Sequence, residues 1–341
     1  MNKWELSKCF EKVKDEYVEE ILPYTVPGKV HGRKFIFFGL IAAVIVLLGM
    51  TVYAAVQPEV LVAWFPRFFA AQADSMMEIT RNQAEIMEKG LVPIGISQTH
   101  NDYTVTLQSG ISDSQRAILI FEVVAPEGSI LDSDVTAVKS QTDVEIPSMG
   151  EGNYAASIQG GFQIPDDDPQ DNRILIAEEI IVQPPENSPF SLADGAIGKI
   201  HIDAILDCSD LDNSPVVIAD GPWEFTCEFS DELVVMQEKE MLEKPMKMGA
   251  QRSLKADNFK TTIKVTSFKL RTLSATCTYR IPFLGRWEGI RPNPINVIMK
   301  DGSRIPAHFR ISLNRGITDE CTYIFDRPVS AEDVDYIEFS K

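Results

Sequence analysis

Along most of this chain apolar residues recur at every second position, but three stretches near the N-terminus break that rule. The first is Leu6, Phe10, Val13, Tyr17 and Ile21, spaced four, three, four and four apart with Lys and Glu between them until Pro23. That period predicts a short amphipathic helix. A helix of about sixteen residues is only marginally stable alone, so its apolar stripe is expected to dock on a partner. A frayed tail with accidental periodicity is the alternative. Pro23 to Gly32 (PYTVPGKVHG) reads as a flexible tether. The second stretch is Phe35 to Val56 (FIFFGLIAAVIVLLGMTVYAAV), which carries no charge. At about 1.5 Å per residue it spans roughly 33 Å as a helix, enough to cross a hydrocarbon core of about 30 Å. It exceeds the usual signal-peptide core of about 7–15 residues, which predicts one transmembrane helix acting as an uncleaved anchor. Val52-Tyr53-Ala54 loosely resembles a cleavage site, so a cleaved leader is the competing reading.

The third stretch covers residues 57–90. Trp64, Phe65, Phe68 and Phe69 cluster around Arg67, an arrangement suited to the outer membrane interface, where aromatic rings tolerate both lipid and water. A juxtamembrane helix is expected to follow to Lys89, with Phe69, Ala73, Met76, Ala84 and Met87 on one stripe and Gly90 as its stop. It would serve as a stalk or as a cover for the next domain.

From Val92 the period becomes two and the punctuation becomes Gly, Pro, Asn and Asp, which predicts a mainly β region. Strands are expected at Tyr103–Gln108, Ala117–Val124, Ile174–Val182, Lys199–Leu206 and Trp223–Phe229. The last two alternate cleanly, with Ile200, Ile202, Ala204 and Leu206 on one face and Trp223, Phe225, Cys227 and Phe229 on another. These predict an immunoglobulin-like β-sandwich over 91–249, ending in a strand and linker at Asp231 to Gly249. A second immunoglobulin-like β-sandwich is expected over 250–341. Leu273, Ala275, Cys277, Tyr279 and Ile281 share one face there, as do Ala307, Phe309, Ile311 and Leu313, and Cys321, Tyr323 and Phe325 supply a further inward face. Asp301-Gly302 predicts a tight hairpin with both turn residues at positive φ.

Charge then sets an orientation. Lys29, Arg33 and Lys34 precede the apolar run and the next basic residue is Arg67, so residues 1–34 are expected in the cytoplasm and 57–341 outside. Residues 1–34 carry seven Lys and Arg against six Asp and Glu, which leaves 25 against 44 for the remainder. That excess argues against nucleic acid as a partner of the outer part. Cys9 stands alone inside. Cys208, Cys227, Cys277 and Cys321 fall outside, where disulfides persist, and pairing Cys208 with Cys227 and Cys277 with Cys321 is expected; buried free thiols fit the same inward parity.

Catalytic chemistry is not legible. The chain has no G-x-S-x-G, no H-E-x-x-H and no phosphate loop, and His31, His100, His201 and His308 are far apart in sequence. Neither a catalytic residue, a cofactor nor a metal is assigned. Two acidic loops, Asp166 to Asp171 and Asp207 to Asn213, lack the spacing of an EF-hand and read as solvated turns sooner than as calcium sites.

The short helix ending in KDEYVEEILP ahead of a basic residue and the span, IGISQTHNDYTVTLQSGISDSQRAILIFEVVAPEG, GPWEFTCEF, VIMKDGS and YIFDRPVSAEDVDYIEF together form a layout. It resembles the anti-sigma-factor-like single-pass membrane proteins of low-GC Gram-positive bacteria, negative effectors of extracytoplasmic-function sigma factors with an outer domain of unknown function. The resemblance implies a sigma factor as the cytoplasmic partner, held through Leu6, Phe10, Val13, Tyr17 and Ile21, and an outer part that reports on the envelope. Lone Cys9 does not supply the His-x-x-x-Cys-x-x-Cys pattern of zinc-containing anti-sigma domains. The alternative is an envelope binding or structural module that a signal anchor merely displays, with the outer ligand unread.

Overall fold

The computed structural model describes residues 64–65, 67–69, 81–147, 156–165, 168, 170–183, 191–210, 214–229, 238–254, 257–280, 290–315 and 318–339. All of these lie in one compact unit, Thr51–Lys341. The expected helix over Leu6 to Ile21, its tether and the apolar run Phe35 to Val56 lie outside the described residues. Among the described residues no helix is long and apolar enough to cross a membrane.

What is described is mainly antiparallel β-structure. The first eight strands are β1 (Val92–His100), β2 (Tyr103–Ser112), β3 (Arg116–Val124), β4 (Thr136–Glu145), β5 (Ala156–Ile164), β6 (Arg173–Gln183), β7 (Ala196–Asp207) and β8 (Val216–Phe229). They form two sheets, ordered β1-β2-β3-β6-β5 and β4-β7-β8. Alternation decides which face each strand buries. Val105, Leu107, Leu119, Phe121, Ile176 and Ile180 of the first sheet meet Ile200, Ile202, Trp223, Phe225 and Phe229 of the second in one core. The Phe121 and Phe225 rings meet edge to face at 5.3 Å, and the Trp223 indole N–H donates to the Tyr103 carbonyl at 3.2 Å. Gly221 is required where β8 changes register against β7, because a Cβ there would collide with the Ile202 and Asp203 carbonyls.

β3 departs from alternation, and its neighbours show why. Its odd-numbered residues Ala117, Leu119, Phe121 and Val123 enter the sandwich core, while Ile118 and Ile120 face a second apolar cluster on the sheet's other side. That cluster is made by Phe65, Phe68, Phe69, Met87 and Leu91. Phe65 and Phe68 are fully buried and Phe69 nearly so. The aromatic cluster expected at a membrane interface is therefore part of the protein core, where burial on β3 outweighs what an interfacial ring would gain. The helix α1 (Arg81–Gly90) covers the same face through Met87, so it acts as the cover.

The remaining strands are β9 (Lys239–Glu240), β10 (Met246–Leu254), β11 (Asp257–Leu270), β12 (Ser274–Arg280), β13 (Ile290–Pro292), β14 (Ile295–Met299), β15 (Arg304–Arg315), β16 (Thr318–Phe325) and β17 (Val334–Phe339). They make one continuous sheet, β13-β10-β11-β12-β16-β15-β14-β17, with β9 on the edge of β11. Two separate sheets were the expectation here. The difference arises at β12 and β16, whose pairing from Ser274↔Ile324 to Tyr279↔Asp319 joins two meanders. Residues from both halves, among them Ile263, Val265, Cys277, Val297, Ile305 and Tyr323, share one core, so the sheet curls over its own apolar face. The sheet begins at Lys239, earlier than residue 250, and takes in the tail of the stretch expected to be a linker.

Two turns exchange roles relative to expectation. Gly302 has φ +83°, whereas Asp301 is not at positive φ. With Gly302 N–H donating to the Met299 carbonyl and Met299 N–H to the Ser303 carbonyl, this is a three-residue hairpin with glycine at the left-handed position. The two-residue turn with both φ positive is Asn101-Asp102, at +50° and +64°, between β1 and β2.

The Trp223 side chain is fully buried where the two sheets meet. Replacing Trp223 with Ala is expected to cost about 3–5 kcal/mol, read as a lower urea midpoint with an unchanged slope.

Candidate functional site

The densest polar constellation among the described residues lies where the β2–β3 turn meets the curled sheet. The turn reads Ser112-Asp113-Ser114-Gln115-Arg116, and Asp113 closes it in the usual Asx manner. Its Oδ1 accepts the N–H groups of Gln115 and Arg116, both at 2.8 Å. Its Oδ2 accepts from the Leu273 N–H at 2.9 Å and the Ser274 hydroxyl at 2.8 Å, in the turn between β11 and β12. One carboxylate thus serves two modules. Asp113 and Arg116 are both fully buried.

Arg116 continues the joint. Nε donates to Glu179 Oε1 at 2.7 Å, and Nη2 pairs with the same carboxylate. Nη1 donates to the Leu273 carbonyl at 3.1 Å and the Phe325 carbonyl at 2.9 Å, and the guanidinium lies 5.9 Å from the Phe69 ring centre. Gln115 Oε1 accepts the Thr276 hydroxyl at 2.7 Å, and Thr276 Oγ1 accepts Arg271 Nη1 at 2.7 Å. Arg271 in turn pairs with Glu238 at 2.7 Å. From the curled sheet Arg310 approaches Glu179 at 3.8 Å. Arg310 is the extra residue at a bulge, since Phe309 pairs with Tyr323 and Ile311 with Thr322, and the bulge turns it toward the seam.

Two further titratable groups lie nearby. His308 Nε2 is 2.8 Å from an Asp326 carboxylate oxygen, and that contact raises the imidazole above its ordinary value while partial burial opposes it. Glu178 points into the sandwich, where burial raises its carboxyl and the Ser140 and Thr142 hydroxyls, donating at 3.1 and 3.2 Å, act the other way. Both oxygens of Asp113 accept donors of the fold, and Glu179 takes Arg116 on Oε1 with Arg310 facing Oε2 at 3.8 Å, so the arrangement ties the β2–β3 turn to the curled sheet.

The sequence-predicted residues fall as follows. Cys277 and Cys321 are direct cross-strand partners, fully buried, with the Cys321 thiol donating to the Cys277 carbonyl at 3.6 Å. Cys208 and Cys227 are not brought together. Cys227 pairs with Gly198 at one end of β7, while Cys208 follows Asp207 at the other, about ten residues or roughly 33 Å of strand away, far beyond the reach of a bridge. All four are free thiols. Burial pushes the Cys227 thiol up to about 11, with Glu228 adding to the shift, and burial likewise raises Cys321. His201 lies beside Asp203 and Glu224 on the surface. Of the acidic loops, Asp168, Asp171 and Asp207 accept the N–H groups of Gln170, Arg173 and Ser209, so they close turns. Among the described residues no group of three His, Cys, Asp or Glu is placed to hold a metal ion. Leu6, Phe10, Val13, Tyr17 and Ile21 lie outside the described residues.

Sequence reading missed the joint itself. The only trace was Asp113 and Arg116 flanking a turn within otherwise apolar strands, because their partners in the curled sheet lie 157 to 209 positions away.

No protein-family model matches the chain, and no curated protein matches it. Among solved structures, the crystal structure of the conserved domain protein from Bacillus anthracis is similar over 72% of this chain and 75% of its own, with 10% identity and a TM-score of 0.46.

Replacing Arg116 with Met leaves Glu179 buried without its closest cation and removes a donor from the Leu273 and Phe325 carbonyls, and is expected to cost about 3–5 kcal/mol in urea unfolding. Removing both charges, as Arg116→Met with Glu179→Leu, is expected to recover part of that loss. For His308 the raised value means that its contribution is fully present below about pH 6.5 and fades as pH rises through the folded-state value. His308→Gln should therefore lower the melting temperature at pH 5.5 more than at pH 8.5; equal losses would assign the contact no charge.

Proposed function

We propose that this protein is a membrane-anchored extracytoplasmic sensor or regulator in which two β modules act as one rigid reader coupled directly to the span Phe35 to Val56. The observation that carries this reading is the burial of Phe65, Phe68 and Phe69, which begin nine residues after Val56 and pack with Ile118, Ile120 and Leu273. A segment joined to both modules so soon after the apolar run passes a displacement of either module toward the membrane with little slack. The charge-free run and its basic flank support the anchor and the orientation. The immunoglobulin-like reading of the first module is supported by strand order. β2-β3-β6-β5 facing β4-β7-β8 reproduces the seven-strand order A-B-E-D against C-F-G, with β1 added at one edge.

On the cytoplasmic side the partner we propose is a sigma factor docked on Leu6, Phe10, Val13, Tyr17 and Ile21, a reading supported by the apolar stripe and the family resemblance. Two experiments test the proposal. In intact cells a membrane-impermeant maleimide should label Cys208, the one outer cysteine that is not buried, and leave Cys9 untouched; labelling of Cys9 before lysis would reverse the orientation. In a pull-down with the detergent-solubilised full chain, Phe10→Asp with Val13→Asp should abolish retention of the sigma factor, since each variant buries an unpaired charge at several kcal/mol. If the wild-type chain retains none and its deletion leaves transcription unchanged, the displayed envelope module replaces the regulator.

A further inference from the structure

Among the described residues β8 is the last strand of its sheet, so one of its edges has no described strand beside it. The described residues cover only part of that edge. At Glu224 the Gln98 carboxamide stands in for a strand: its oxygen accepts the Glu224 N–H at 2.8 Å and its nitrogen donates to the Glu224 carbonyl. Asn101 Nδ2 does the same for the Asp220 carbonyl at 3.1 Å. Among the described residues no side-chain hydrogen bond reaches Val216–Ala219, and there Val216, Val217 and Ile218 are 61, 49 and 37% exposed. Successive strand residues point to opposite faces. Val216 and Val217 are both exposed on opposite faces, and Ile218 is the extra residue of a bulge against Ile205 and Leu206, so this end of the β7–β8 ribbon overhangs the sandwich with both faces bare.

The surroundings select what such an edge would take. Backbone bonds from Ala125 to Asn172, Leu131 to Asp171 and Cys208 to Val135 gather three loops at this end of the module. Ile130, 57% exposed, adds a further apolar side chain to the same end. The segments 125–135, 168–172, 207–210 and 214–220 carry eight Asp and Glu side chains and no Lys, Arg or His. Protein edges left open are usually blunted by a charge or a proline within the strand. Here Pro215 and Asp220 bound the open stretch, but Val216-Val217-Ile218-Ala219 itself has neither.

We infer that Val216–Ala219 is a docking edge for an extended segment of a partner protein in which basic and apolar residues alternate. Added as a strand, such a segment satisfies the open backbone edge, lays its apolar side chains along the exposed Val216–Ile218 stretch, and presents its Lys or Arg to the acidic loops. A second copy of this chain offers the same edge but brings two carboxylate-rich ends together with no cation between them, and like charges across a strand pair oppose pairing. Charge thus selects a basic partner over self-association. This inference goes beyond the proposed function and does not depend on membrane orientation.

The test uses the full chain in detergent micelles and two fluorescent twelve-residue peptides, one alternating Lys with Val and one alternating Glu with Val. The Lys-Val peptide should bind saturably and weaken as salt rises from about 50 to about 500 mM. Val216→Lys with Ile218→Lys should reduce that binding by about tenfold or more, while Tyr336→Lys, an exposed residue of the other module, should leave it unchanged. Amide exchange on the wild-type chain, which needs no variant to fold, should show peptide-dependent protection at Val216–Ala219. Equal binding of the Glu-Val peptide, undiminished binding by the double variant, or protection confined elsewhere would each overturn the inference. Concentration-dependent protection of Val216–Ala219 without any peptide would assign the edge to a second copy and overturn the basic partner.

Discussion

A guanidinium taken wholly out of water needs an acceptor for each N–H it turns inward, because an unpaired charged donor in the interior costs several kcal/mol. Arg116 meets that demand in three directions, at Glu179 of its own sheet and at the carbonyls of Leu273 and Phe325 in the curled sheet. Those acceptors are available together only in one relative placement of the two modules. Asp113 adds a second requirement from the other end of the same turn, through the Leu273 N–H and the Ser274 hydroxyl. The relative placement of the modules follows from satisfying one arginine and one aspartate, with apolar burial from Phe65, Phe68 and Leu273 closing around them.

The parts of the fold that the sequence reveals are those whose two strand faces meet different surroundings. β7 and β8 alternate because one face packs in the sandwich and the other meets solvent; β8 buries the residues its period assigns, but β7 does so only as far as Ile202, because the register shifts after it and Ile205 rather than Leu206 enters the core. β4 was not legible, because its pattern over Thr136–Glu145 is mostly polar and only scattered residues are buried at its edge position. β5 contains Gly160 and Gly161, which hide a strand period. The aromatic cluster after the apolar run shows a different limit. Hydropathy registers that Phe65, Phe68 and Phe69 will leave water, but lipid and protein are equally good destinations by that measure. Only the apolar outer face of β3, bearing Ile118 and Ile120, decides between them.

Cysteine parity illustrates the same boundary between local and distant information. All four cysteines share the face of their apolar neighbours in the sequence pattern, yet only Cys277 and Cys321 become neighbours. For Cys208 the parity was beside the point, because it falls one residue past the end of β7 and donates its N–H to Val135. Parity tells which way a side chain points and says nothing about which strand lies opposite. The joint residues were illegible for that reason, since no periodicity in Ser112 to Arg116 names Leu273 or Phe325.

The long sequence separation inside the joint also has a temporal side. Asp113 and Arg116 leave the ribosome 160 and 209 residues ahead of Leu273 and Phe325 respectively. At about 5–20 residues per second, roughly 10–40 s pass before Arg116 can reach its last acceptor. During that interval Arg116 has Glu179 of its own module but not the Phe325 carbonyl. A chain that stops short of Phe325 leaves Arg116 Nη1 without that acceptor permanently, so completeness of the C-terminal strands is registered at residue 116, near the other end of the outer part.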